Sequence, residues 1–210
     1  MKTARQTARE LALLGISQLP INSGRLEAQQ LQDVVLAAVR TLTEEAKEEL
    51  KTAAAELQRG SDRLLGSEIR AANLQSARSM LHEAIELTQN AINRVGVTLD
   101  LPETIQQTNQ KEVRAYALEL LSNISSNRSQ IDELLSAAMV DWQLDRLPRI
   151  DRDIMRIAVT EILFLGVPEQ VGINEAVELA KRYSGEDGHR FINGVLRRVV
   201  EKIKAQSSLA

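Results

Sequence analysis

The spacing of apolar residues constrains this chain most. Along nearly its whole length they recur at intervals of three and four, the period of one helix face, and no segment sustains the alternation of a half-buried strand. Ala8, Leu11, Ala12 and Ile16 predict a first helix over residues 3–18, closed by Pro20. Leu31, Val35, Ala38, Val39 and Leu42 predict a second. The pattern Thr41-x-x-Glu44 resembles a capping box and opens a third over 43–59, with Gly60 as its stop. The longest run covers 67–95, where Leu74, Ala77, Leu81, Ala84, Ala91 and Val95 share a side and Gly96 breaks the pattern. A loop follows around Leu101-Pro102, with some helix over 103–109. A helix from Lys111 carries Val113, Tyr116, Ala117, Leu120, Leu121 and Ile124 and extends towards Leu135. Ile154, Ile157, Ala158, Ile162 and Leu165 mark another, stopped by Gly166 and Pro168, and two more fill 173–198. The fold class is all-α.

Composition narrows the function. There is no cysteine, which removes disulfides, thiolate metal sites and cysteine nucleophiles. His82 and His189 are far apart, so neither a metal site nor any cofactor is expected. No apolar run reaches about 18 residues, so no membrane span is expected. Arg9 and Glu10 interrupt the short apolar stretch of the N-terminus, so a signal peptide is not expected, and the expected compartment is the cytoplasm. A net charge of −3 does not advertise nucleic-acid binding; any such surface is local. Its candidates are Lys2, Arg5 and Arg9, the last two being four residues apart and so on one helix face.

Three further stretches carry suggestive residues. Ser184, Asp187 and His189 are the residue types of a nucleophilic triad, but neighbours on one turn rarely reach its geometry. A helix break accounts for the same residues: Ser184-Gly185 ends one helix, and Glu186 and Asp187 cap the next. In "DRLPRIDRD", Asp145, Arg146, Arg149, Asp151, Arg152 and Asp153 read as an ion-paired patch at a helix start, or as a partner surface. Asn193-Gly194 sits inside the last helix, beside the apolar positions Ile192, Val195, Leu196 and Val199. A glycine there predicts close approach of a neighbouring helix, with Asn193 bonding across to it, and a cost for Gly194→Val above roughly 0.5 kcal/mol.

The blocks "DWQLDRLPRIDRDIMRIAVTEIL" and "VPEQVGINEAVELAKRYSGEDGHRFINGVLRRV" closely resemble the NusB family of transcription antitermination factors. The match is dense over about 111–203 and resumes at "ARQTARELA". The resemblance implies an all-helical fold of two small helical-bundle subdomains and a non-enzymatic, RNA-binding antitermination adaptor. It implies boxA-type single-stranded RNA, the small-subunit ribosomal protein NusE and the RNA polymerase antitermination complex as partners. Carried onto this chain, it places Arg5 and Arg9, with Lys2 just before them, in the family's basic opening. Asp187 and Phe191 fall near the RNA-binding face, and Asp151 falls on an acidic position facing NusE. An exposed Phe191 would stack on an unpaired base; the bland reading is a core aromatic.

The chain departs from the family pattern in a thinner basic opening, in a missing aromatic near Ile16-Ser17, and in a much longer region over residues 20–105. The expected organisation is an N-terminal subdomain over 1–110 enlarged by a helical insertion (about 20–105), a C-terminal NusB-like region over 111–204, and a polar tail over 205–210. A competing reading is a NusB-like interaction module without RNA binding, its insertion serving as a partner face or a homodimer seam through 74–95. A third class, the RNA cytosine methyltransferases that carry NusB-like domains, needs a Gly-rich methyl-donor loop and a nucleophilic cysteine, and the chain has neither.

Overall fold

Helix formation follows the apolar spacing, and no strand occurs among the described residues. The computed structural model describes residues 3–17, 28–99, 106, 108–140 and 142–207. Its α-helices are α1 (Ala4–Ile16), α2 (Ala28–Ile69), α3 (Leu74–Leu99), α4 (Lys111–Ser126), α5 (Arg128–Ala138), α6 (Arg149–Phe164), α7 (Glu169–Tyr183) and α8 (Gly188–Ser207), with a 3-10 turn at Leu144–Arg146 before α6. None of them is long and apolar enough to cross a membrane. The chain forms two compact units, residues 1–38 with 108–210, and residues 39–107.

In the first unit, α6 is the central helix, with α1, α4, α5, α7 and α8 all packed on it. Every residue from Asp153 to Glu161 is buried, which requires neighbours on all sides of that helix. Leu11, Ile16, Leu120, Leu121, Ile124, Ile131, Leu135, Ile154, Met155, Ile157 and Ile192 are fully buried in this core. Each such side chain contributes about 1.5–3 kcal/mol by leaving water. α1 begins with a capping box: the Gln6 amide donates to Thr3 Oγ1 (3.2 Å), and the Thr3 amide donates to Gln6 Oε1 (3.0 Å). Its apolar face packs on α4 and α6. The structure thus groups α1 with the C-terminal helices, where the sequence suggested a boundary near residue 110.

α4 and α5 are two helices rather than one run to Leu135, because Asn127 leaves helical geometry (φ −116°, ψ 18°). α6 stops as its sequence suggests. Gly166 takes the left-handed conformation (φ 65°), and the Val167 amide donates to the Glu161 carbonyl, a Schellman closure.

The second unit is an antiparallel hairpin of α2, from Val39 onward, and α3. Arg94 pairs with Glu49 (2.8 Å) and Glu56 (3.1 Å), and Arg63 pairs with Glu83 (2.9 Å). At the turn, Asn73 Oδ1 accepts from the Ser76 amide (2.8 Å) and caps α3. Here three local expectations fail. The chain runs helically through Thr41–Glu44, through Gly60 and through Gly96. Gly60 is a packing position rather than a stop: a Cβ there would lie 3.3 Å from the Ala84 carbonyl oxygen. Ala53, Ala84 and Ala91 are buried in the same unit, and small side chains of this kind let two helices approach closely.

The expectation for Gly194 also fails. A Cβ there would meet only the Arg198 guanidinium, at 3.7 Å. Asn193 bonds along its own helix, accepting from Arg197 Nε at 3.3 Å. With open space around it, Gly194→Ala is expected to stabilise the protein by about 0.5–1 kcal/mol, seen as a higher urea midpoint at unchanged slope. The close approaches lie instead at Gly188, where a Cβ would overlap the Ser184 side chain, at Gly15, where it would meet Leu121 (3.0 Å) and Val34 (3.1 Å), and at Gly172, against Ile162 (3.0 Å).

Candidate nucleic-acid interface

Arg9 lies in the interior of the first unit, not on a surface. It is 2% exposed, and its Nε donates to both oxygens of Glu161, at 2.8 and 3.0 Å. Its NH1 pairs with Glu175 at 3.0 Å. The Tyr116 hydroxyl donates to the same Glu161 carboxylate at 2.5 Å. Burial, and then this hydrogen bond, push the Tyr116 hydroxyl well above the usual phenol range, so it remains a donor. Arg9 therefore ties α1 to α6 and α7. The expectation that it contacts RNA is corrected: a guanidinium enclosed by two carboxylates is not presented to a phosphate.

Arg5, one turn earlier, is exposed. Its guanidinium carbon sits 5.2 Å from the centroid of the Tyr116 ring, in cation–π range. Tyr116 thus serves both arginines, its hydroxyl directed to the carboxylate that holds Arg9 and its ring supporting Arg5. Arg5 has no carboxylate partner among the described residues, which leaves its charge open to an external anion. Lys2 lies outside the described residues.

The second group of candidates surrounds the α7–α8 connection. Asp187 immediately precedes α8, and its carbonyl accepts from the amides of Arg190 (3.1 Å) and Phe191 (3.2 Å), which starts the helix. Its side chain is 84% exposed and lies 3.4 Å from Arg190, also exposed. Phe191, one turn into α8, is half-buried. Its ring meets Trp142 edge to face, with centroids 6.1 Å apart and planes at 69°. Trp142 is 60% exposed. Phe191 is thus neither a free platform nor a core residue: one side rests on a tryptophan that is itself open to solvent. Two of the chain's five aromatic side chains meet here. Sequence reasoning did not select Trp142. Its available signal was the scarcity of aromatics, which makes each exposed one notable.

Asp151 is 6% exposed and accepts from the Ser184 hydroxyl at 2.5 Å. It thereby fastens the end of α7 to the start of α6, and the expected role facing NusE is corrected to a structural one. The same bond commits Ser184 to Asp151 rather than to His189, so "SGEDGH" is a helix break, not a triad. The neighbouring acids and arginines form a network deeper than a solvated patch. Arg156 binds Asp132 through Nε (2.8 Å) and Asp153 through NH1 (2.7 Å). Burial works against the Arg156 charge, but the carboxylates of Asp132 and Asp153 outweigh it and raise its pKa. Arg149 NH2 donates to the Ser17 carbonyl at 2.7 Å and so closes the C-terminal end of α1.

A family model described as NusB family matches residues 68–201. The chain belongs to the NusB family. Its relatives include the protein named Transcription antitermination protein NusB of Trichodesmium erythraeum (strain IMS101), 65% identical over 202 residues, 96% of this chain and 98% of the relative. The protein of the same name from Nostoc punctiforme (strain ATCC 29133 / PCC 73102) is 60% identical, covering 95% of this chain and 96% of its own length. That of Gloeothece citriformis (strain PCC 7424) is 56% identical, covering 97% and 96%. A solved T. maritima NusB, 28% identical, covers 73% of this chain and 90% of its own with a TM-score of 0.44. Coverage of the three named relatives is nearly complete on both sides, so those alignments run across residues 39–107. The hairpin unit is therefore shared with these NusB proteins rather than private to this chain.

Proposed function

We propose that this chain is a transcription antitermination adaptor that binds boxA-type single-stranded RNA in the cytoplasm jointly with NusE, as part of the RNA polymerase antitermination complex. The family membership supports antitermination. The observation that carries the RNA reading is the Phe191–Trp142 pair at the start of α8, a partly open aromatic surface beside the exposed Arg190. Unstacked bases dock on such rings, each stacked base contributing about 1–3 kcal/mol. Arg5 adds an uncommitted cation, with Lys2 ahead of it in sequence. With Arg9 enclosed, this acidic chain contributes few phosphate contacts of its own, and a basic partner such as NusE supplies the remainder.

Trp142 is the only tryptophan, so its fluorescence reports directly on this surface. Addition of boxA RNA is expected to shift or quench that emission, and Phe191→Ala is expected to weaken binding about tenfold or more through loss of one stacked base. Arg5→Ala is expected to make the dependence of log affinity on log salt shallower by about 0.7, one single-strand phosphate contact. Unchanged affinity and salt slope in both variants would favour the interaction module without RNA binding.

A further inference from the structure

Gly194 breaks a local preference with no return inside the protein. A glycine in a helix is destabilising relative to alanine, and here a Cβ would meet only the Arg198 guanidinium, at 3.7 Å. Gly15, Gly60 and Gly172 each lie against a neighbouring helix, so their lack of a side chain serves packing. Gly194 instead faces outward, on the side of α8 away from the buried Ile192, Val195, Leu196 and Val199. A departure from local preference without a packing gain points to a role outside the fold.

Residues three and four apart on a helix are neighbours, so Gly194 is bordered by Arg190 and Phe191 towards the start of α8 and by Arg197 and Arg198 towards its end. Phe191 carries the edge-to-face contact with Trp142. Arg197 is exposed, and its Nε donates to Asn193 Oδ1 at 3.3 Å. Arg198 is half-buried. Its Nε donates to the Ala138 carbonyl at 2.7 Å, while its NH1 lies beside Gly194. Neither arginine has a carboxylate partner among the described residues, and Arg190 has an exposed one at 3.4 Å. Asp187 and Glu201, each seven residues from Gly194, bound the strip. From Arg190 to Arg198 it runs about 12 Å along the helix.

Resting on the adaptor reading above, we propose that the RNA strand docked at Phe191 and Trp142 continues along α8, its sugar–phosphate backbone lying over Gly194 and its flanking phosphates held by Arg197 and Arg198. The missing Cβ lets the strand approach the helix backbone closely. A guanidinium matches a phosphate with paired donors. Asn193 and the Ala138 carbonyl already hold these two by their Nε atoms, so less freedom is lost when a ligand arrives. An aromatic pair that runs into a row of cations is the combination that binds single strands, stacking for the bases and charge for the backbone. An acidic protein segment would use the cations but not the rings. Asn193 and Gly194 thus have complementary parts, one positioning Arg197 and the other clearing the surface beside it.

Anisotropy of labelled boxA RNA titrated with the full chain over a salt series tests this. Gly194→Ala, expected above to raise the urea midpoint, should nevertheless weaken RNA binding, a split that a purely structural role does not produce. Gly194→Leu fills more of the open space and should weaken binding about tenfold. Arg197→Ala should make the dependence of log affinity on log salt shallower by about 0.7, one single-strand phosphate contact, and Arg197→Lys should retain the original slope. Helical circular dichroism should be unchanged in all four variants. Unchanged affinity in Gly194→Leu, or an unchanged salt slope in Arg197→Ala, overturns this path, and is the result if an acidic protein segment is the true occupant of the strip. Phe191→Ala then decides the reading beneath it: the adaptor reading stands if that variant still binds boxA more weakly than the original chain, and falls with the path if it does not.

Discussion

Arg9→Met is expected to lower the unfolding free energy by about 3–5 kcal/mol, the cost of leaving a buried charge without its partner. Glu161 is 1% exposed, and Arg9 is its ion-pair partner, at 2.8 Å. Removing the guanidinium leaves that carboxylate in the interior with the Tyr116 hydroxyl as its remaining hydrogen-bond partner described above. Glu175 is less affected, because its side chain is 23% exposed and reaches water. The second arm of the experiment separates a lost ion pair from lost packing. Arg9→Met combined with Glu161→Met replaces the pair with apolar groups, a change that is often near neutral, and is expected to recover more than half of the single-variant loss. Urea unfolding of the two single variants and the double measures this directly. Full additivity of the single losses would mean that the two side chains are not energetically coupled.

Arg156→Met is expected to cost about 3 kcal/mol for the same physical reason on the other side of α6. Asp153 has a side chain 3% exposed and loses a 2.7 Å partner, retaining Arg149 at 3.5 Å. Asp132 is more exposed and is resolvated more cheaply. Adding Asp153→Asn to Arg156→Met removes the stranded charge and is expected to restore part of the loss, again read from urea midpoints. Neither Arg9 nor Arg156 is a surface basic residue. Loss of RNA binding in these variants would therefore follow loss of the fold and would have to be separated from it by circular dichroism at the assay temperature.

The helical class was legible because it depends on local spacing. Leu120, Leu121, Ile124, Ile154 and Ile157 announce their burial by period alone, and the structure buries each of them. The errors arose where tertiary contact overrides local preference. Gly60 and Gly96 read as helix ends because nothing nearby in sequence rewards continuing; for Gly60, the reward is a neighbouring helix that begins fourteen residues later. Gly194 misled in the opposite direction, its open surroundings being invisible without its neighbours. Arg9 and Arg5 are indistinguishable by composition and spacing, yet one meets Glu161, 152 positions away in the chain, and the other is itself exposed over the half-buried Tyr116 ring. Asp151 looked like a surface acid because its hydrogen-bond donor, Ser184, is 33 residues distant. Trp142 gained significance only when the fold brought it against Phe191. Resemblance singled out Phe191 and Asp187, and only geometry separated side chains that are open to solvent from those that hold the scaffold together.

RNA recognition by this chain, as proposed above, depends on a NusE partner because Arg9, one of its expected basic contacts, is enclosed by carboxylates. Fluorescence anisotropy of labelled boxA RNA, titrated with the chain alone and with the chain plus NusE at several salt concentrations, tests it most directly. Weak, salt-sensitive binding by the chain alone and roughly 5–150-fold tighter binding with NusE at fixed salt is the predicted result, the range of an ordinary coupling free energy. An affinity for boxA that NusE leaves unchanged would contradict it.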